Sequence, residues 1–378
     1  MRKLLKSAKN KVFIKYLFFL LGCDAKNTAE KPFFPTAVQR SQTEIKREFG
    51  IVYDTTNPDS ALHYNVATPL SWVQVELPAK AVTPQHPVQE QCWLKSNKDP
   101  DTEIKVTLVY TPHEVSPDDW LKIRLKKLDE KILEQNVHKQ EGGEQPDFLT
   151  ISNGFPQRIS RWTVLKDWAK ATGGAHLFVL RASTPAENYT EELANQFFMA
   201  VSSFDLLHPT NWPYAEQLRT LVRNVPMQVA TAFPISWEQH ENPASDEHFY
   251  QVKLTKTLNG HRIGFISFMV LAEQSSADIE RLERENAAVL AQEGLMFGAA
   301  KFASAPSFGG LTHVARAVQR QTNAGAGPAQ ERHALRGRAG RYWVLAESIH
   351  FTQEAAPDEW AICKRAFDIV QQHLAINP

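Results

Sequence analysis

With 378 residues, 43% of them apolar and 22% charged, the chain has a globular composition and is long enough for two cores. Its formal charge of zero hides an asymmetry, because residues 1–22 carry Arg2, Lys3, Lys6, Lys9, Lys11 and Lys15 with no acid, leaving 36 basic against 42 acidic residues beyond them. That acidic remainder excludes coating of nucleic acid or an anionic lipid surface by bulk charge, and no nucleic-acid partner is expected.

Residues 1–22 have the parts of an export signal: a basic start, an apolar stretch from Val12 to Leu21, and small Gly22 before a cleavage point. Lys15 interrupts the stretch, and a membrane-spanning helix needs about 20 apolar residues, so this is not a transmembrane anchor. Leu20-Leu21-Gly22-Cys23 resembles the lipobox of bacterial lipoproteins, which implies a diacylglyceryl group on Cys23 after cleavage. Asp24 resembles the signal that holds such a lipoprotein in the inner membrane facing the periplasm, the outer membrane being the alternative. Residues 23–60, with Pro32 and Pro35 among mixed polar residues, read as a tether. Cys92 and Cys363 lack a CxxC partner and fall in different halves, so two buried free thiols are expected.

The rest of the chain is an internal repeat. Residues 67–78 read ATPLSWVQVELP and residues 232–243 read AFPISWEQHENP, seven identities in twelve at an offset of 165. In the first half, strand-like Ile104 to Tyr110 precedes Ser116-Pro117-Asp118-Asp119, a helix start, and Leu121, Leu125, Leu128 and Ile132 then fall at helical spacing. In the second, Phe249 to Thr257 and His261 to Leu271 flank Asn259-Gly260, a hairpin signal, before a helix with Ile279, Leu282, Val289 and Leu290 on its apolar side. Further strands are expected at Ile159 to Leu165 and His176 to Ala182, and at Thr312 to Gln319 and Arg341 to Ser348. Each half closes on a helix. Thr184-Pro185-Ala186-Glu187 is a capping box leading into Tyr189, Leu193, Phe197 and Val201, and Ala356-Pro357-Asp358-Glu359 leads into Trp360, Cys363, Phe367 and Val370. Pro209 to Pro213 marks the junction.

These patterns predict an α+β protein of two tandem domains, 61–210 and 211–378, each an antiparallel sheet packed against helices. The Pro69-x-x-Trp72 opening, the strand and helix order, and the passage from His176 to Leu206 resemble the PsbP-like superfamily, most of all its DcrB-like bacterial members. The resemblance implies binding or assembly domains without catalytic machinery, some of which chaperone secretion-system effectors as homodimers.

Chemistry-bearing motifs are scarce. HExxH, GxSxG, SxxK and P-loop spacings are absent, so no catalytic residue, metal or cofactor is expected, although a scattered triad would escape such a search. His240, Glu241, Asp246 and His248 offer four ligand types within nine residues and read as a solvated loop. Arg316, Arg320, Arg332, Arg336, Arg338 and Arg341 surround the Gly/Ala/Gln-rich stretch 321–330, with His313 and His333 nearby. They read as an insertion in the second half whose paired donors could take an anion or a partner. Trp72 and Trp237, shared by the repeats, read as core. The reading that results is a non-enzymatic periplasmic lipoprotein, anchored through its lipid and serving as a binding or assembly module for an envelope protein complex. A DcrB-like effector chaperone and a hydrolase without a known motif are the alternatives.

Overall fold

A computed structural model describes residues 32–377 apart from 76, 78–81, 85, 141–142, 225–226, 273–275 and 323–326; the leader and Cys23 lie outside the described residues. The first half runs Gln42–Glu48 (α1), Phe49–Asp54 (β1), Tyr64–Pro69 (β2), Trp72–Val75 (β3), Val88–Ser96 (β4), Glu103–Thr111 (β5), Pro117–Lys127 (α2), Glu130–Gln140 (β6), Gly143–Ser152 (β7), Arg158–Trp168 (β8), Ala175–Pro185 (β9), Glu191–Ser203 (α3) and Asp205–Leu206 (β10). The second runs Leu218–Arg223 (β11), Gln228–Pro234 (β12), Glu238–Glu241 (β13), Phe249–Leu258 (β14), His261–Leu271 (β15), Ser276–Gln292 (α4), Ala303–Ser304 (β16), Thr312–Arg320 (β17), Gln330–Ala339 (β18), Tyr342–Phe351 (β19), Pro357–Gln372 (α5) and Ala375–Asn377 (β20).

Sheet order shows the duplication. The large antiparallel sheets run β3-β4-β5-β9-β8-β7-β6 and β13-β14-β15-β19-β18-β17-β16, and the small ones run β1-β2-β10 and β11-β12-β20. The α+β architecture in two like halves is therefore as the sequence predicts. Among the described residues no helix is long and apolar enough to cross a membrane.

Strand composition follows from which faces are covered. β5 alternates buried and half-buried residues, as one covered face demands. β9 is buried nearly throughout, because Leu177 and Val179 meet Leu121 and Leu125 of α2 while Phe178 and Leu180 meet Phe197 and Val201 of α3. Each such side chain contributes about 1.5–3 kcal/mol on leaving water. In the second half Val344 and Ala346 of β19 face Cys363 and Phe367 of α5, while Trp343 and Leu345 face Ile279 of α4. A Cβ on Gly264 would lie 2.7 Å from Cys363 Sγ and 2.9 Å from Ile349 O, so α5 rests on bare backbone there. Cys92 and Cys363 are both buried free thiols, and burial pushes the Cys92 thiol up to about 12. Trp237 is buried in the second core, whereas Trp72 is half-buried against the first.

The halves share packing. Val115 and Ile123 of the first half join the second half's core, where α2 meets α5.

Four expectations need correction. The segment 23–60 is not a free tether over its length: Ser41 caps α1, and β1 pairs with β2 from Phe49↔Pro69 to Asp54↔Tyr64. α2 ends at Lys127, because Asp129 takes a positive φ of 56° that turns the chain into β6, so Ile132 reaches the α2 core from a strand. Thr190, not Thr184, caps α3, since Pro185 ends β9 and Thr184 spends its hydroxyl on Thr102 at 2.7 Å. Finally, the arginine-rich stretch is no insertion. β17 and β18 hold the places of β7 and β8, and β18, whose Arg332, Arg336 and Arg338 all fall on one face, hid a strand that a polar reading missed.

Candidate functional site

A cleft of about 480 Å³ opens where the two halves meet. Two of its lining side chains, Lys166 and Arg365, meet behind it on the buried carboxylate of Glu114, in the loop before α2. That carboxylate accepts from Lys166 Nζ at the end of β8 (2.8 Å), from Arg365 Nε on α5 (2.8 Å), and from the backbone N–H of Ala215 in the connecting segment. One side chain thus ties together both halves and the link between them. Burial pushes the Glu114 carboxyl up, but Lys166 and Arg365 more than reverse this and hold it below its ordinary value. Burial lowers Lys166, with Glu114 opposing.

Asp167 follows Lys166 and so points to the other face of the strand. It accepts from the Thr210 N–H at 3.0 Å and from Thr210 Oγ1 at 2.5 Å, fixing the start of the connection. Trp212 then donates from Nε1 to Glu216 O at 3.1 Å and packs edge-on against Tyr214 with ring centres 5.4 Å apart. Tyr214 OH lies 2.6 Å from His373 Nε2. Burial raises the phenol and lowers the imidazole. Outward of this wall, Glu144 and Asp205 are exposed acids.

The lining offers one hydroxyl beside a carboxylate, Ser116, and it is committed to capping: Ser116 Oγ donates to Asp119 Oδ2 at 2.9 Å and accepts from Asp119 N at 3.0 Å. The buried charged groups are engaged with one another or with backbone, Lys166 and Arg365 on Glu114 and Asp167 on Thr210. What faces the opening is aromatic and proline surface with an acidic rim, an arrangement suited to holding a chain segment rather than activating a nucleophile.

No protein-family model matches the chain, and no curated protein matches it. Among solved structures it is similar to the T6SS immunity protein TplEi of Pseudomonas aeruginosa in complex with the "L" peptide, at 10% identity and a TM-score of 0.21, covering 83% of this chain and 95% of that one. Apo TplEi gives 8% and 0.23 over the same shares, and the Tle4–Tli4 complex gives 10% and 0.22 over 83% and 95%. TM-scores this low establish neither a shared fold nor a shared role.

The six arginines expected to act together are divided between the faces of the β17–β18 hairpin. Arg332 is buried against Glu347 (2.7 Å) and Gln319 Oε1 (3.1 Å). Arg336 stacks on Phe302 at 4.0 Å, with Glu283 at 3.8 Å. Arg338 lies over Trp343, and Arg341 over Tyr342, to whose hydroxyl it donates at 3.2 Å. Arg316 sits exposed against Phe308, and Arg320 meets Glu354 at 3.3 Å. His240 and His248 are exposed beside Glu238 and Glu247, and Asp246 caps the His248 and Phe249 backbone, so that loop gathers no ligand set among the described residues. Sequence reasoning missed Glu114, Lys166 and Arg365, which lie far apart in the chain. The usable signal was Lys166 and Asp167 directly following the apolar Val164 and Leu165 near the end of β8.

Proposed function

We propose that the chain is a membrane-anchored, non-enzymatic periplasmic lipoprotein that binds a segment of a protein partner in the cleft between its halves. The observation that carries this is the cleft itself: a Trp212–Tyr214 wall and an exposed acidic rim, with the lining cations Lys166 and Arg365 of the two halves tied together on Glu114. The acidic rim favours a partner segment bearing Lys or Arg. A PsbP/DcrB-like origin of the two domains, with boundaries near 61–210 and 211–378, belongs to the same reading.

A photocrosslinking residue at Gln372, exposed on the cleft lining, is expected to give a protein adduct in intact membranes, whereas one at fully exposed Phe155, which does not line the cleft, gives none. Equal labelling from the two positions, or none from Gln372, sinks the cleft as the binding site. The anchor is tested separately. Cys23→Ala is expected to move the protein from the membrane to the soluble envelope fraction, and unchanged fractionation would dismiss the lipid.

A further inference from the structure

On the α5 side of the second large sheet, Glu331 and His333 stand two residues apart on β18 and so share a face, and His350 is the direct partner of Glu331 on β19. Their ligand atoms lie within 4.8 Å of one another. Glu331 Oε1 is 2.8 Å from His333 Nε2 and 4.0 Å from His350 Nδ1, and the two imidazoles are 5.0 Å apart centre to centre.

Three features distinguish this cluster from an ordinary buried ion pair. His350 is 1% exposed, and its Nδ1 lies 2.8 Å from the Phe351 carbonyl, to which it donates; Nε2 keeps its lone pair and has no hydrogen-bond partner. A ring held by one N–H on a backbone carbonyl, with the other nitrogen free, is the usual posture of a metal-ligating histidine. Next, Trp360 Nε1 donates to Glu331 Oε1 at 2.8 Å, orienting the carboxylate from behind. The third feature is access. Arg158 pairs with Pro185 and Gln330 with Phe351, so His333 holds the strand position that Arg161 holds in the first half. There the segment Phe33 to Pro35 covers the site, Pro35 O accepting from Arg161 at 2.8 Å, whereas the His333 side chain remains 25% exposed.

We propose that Glu331, His333 and His350 form a binding site for a borderline first-row divalent cation of the zinc class, with a fourth position open towards solvent at His333. Two imidazoles and one carboxylate suit zinc or cobalt better than calcium or magnesium, which call for oxygen ligands. Closure onto an ion at about 2.0–2.2 Å requires the three side chains to draw in from separations of up to 4.8 Å. Lys364, the nearby cation, is engaged by Asp119 at 3.0 Å and Asp368 at 2.9 Å.

The test is a Co²⁺ titration of the tag-free full chain after chelator treatment, read by visible d–d absorption and by Zn²⁺ competition. One equivalent should bind to the wild type, and His333→Ala and Glu331→Gln should each weaken binding by more than about 100-fold, beyond the usual effect of losing a supporting group. His333→Gln, which keeps a donor to Glu331, serves if the alanine variant does not fold. Absence of a cobalt spectrum up to about 100 µM, or wild-type affinity in these variants, overturns the site, the latter because the ion would then sit on exposed histidines such as His240 or His248.

Discussion

Glu114→Ala should destabilise the chain by about 3–5 kcal/mol, the effect of stripping one partner from a buried charge pair. Glu114, Lys166 and Arg365 have side chains only 2%, 6% and 13% exposed, so the two cations left behind can neither reach water easily nor find a new acid. Urea unfolding should show the loss and, because the carboxylate joins β8, the connecting segment and α5, a broadened or split transition as the halves uncouple. A change under 1 kcal/mol with a single sharp transition would refute the hub. Glu114→Leu/Lys166→Met should recover only part of the loss, since it removes one of the two stranded cations and leaves Arg365 without its acid. The pH dependence has a defined sign. Glu114 is held below its ordinary 4.5, so its contribution is complete above that value and disappears as pH falls through the lower folded one. Wild type should lose stability in that acid window more steeply than the alanine variant.

Arg161→Met is expected to have a similar effect, again about 3–5 kcal/mol, and a second consequence that Glu114 lacks. Arg161 is fully buried, gives Nε and Nη2 to Asp147 at 2.8 and 2.6 Å, and lies between the rings of Phe34 and Phe198 at 4.3 and 4.9 Å. Its Nη2 also holds Pro35 O, while Tyr189 OH donates to Phe33 O at 2.8 Å. The variant should therefore expose Arg40, now paired with Glu48 and Glu192, to rapid trypsin cleavage. Arg161→Met/Asp147→Leu separates the two effects: stability should return while cleavage stays fast. Slow cleavage in both variants would mean that Arg161 does not pin the segment.

The sequence made the duplication legible because Trp72 and Trp237 sit in matching strings of small, proline and polar residues, and the order of elements after each string is the same. Apolar alternation likewise marked β5, continuous apolar runs marked β9, β15 and β19, and Pro357 opened α5 as expected. Segments whose character depends on distant cover were harder. β6 and β7 are polar where they form the sheet's edge, β18 hides its strand period under arginines that pair with Glu347 and Glu283, and β1 gains its place only by pairing with β2. Both candidate sites depend on such distant contacts. Glu114 and Arg365 are 251 positions apart, and Glu331-x-His333 becomes a pair on one face only once β18 is known to be a strand. The arginines drew attention as a charge cluster, yet alternation sends them to opposite faces of one hairpin.

The docking of Phe33 to Pro35 also sets a geometry outside the fold. If Cys23 carries the lipid, nine residues, 24–32, separate the anchor from Phe33, whose carbonyl is the first docked group, a reach of at most about 36 Å at full extension. A leash that short is comparable to the width of a small domain and falls short of a whole bilayer with its headgroups. The protein would then patrol only the layer next to the lipid surface, with its first half facing down, and would meet only partners that approach within about one molecular diameter of the membrane.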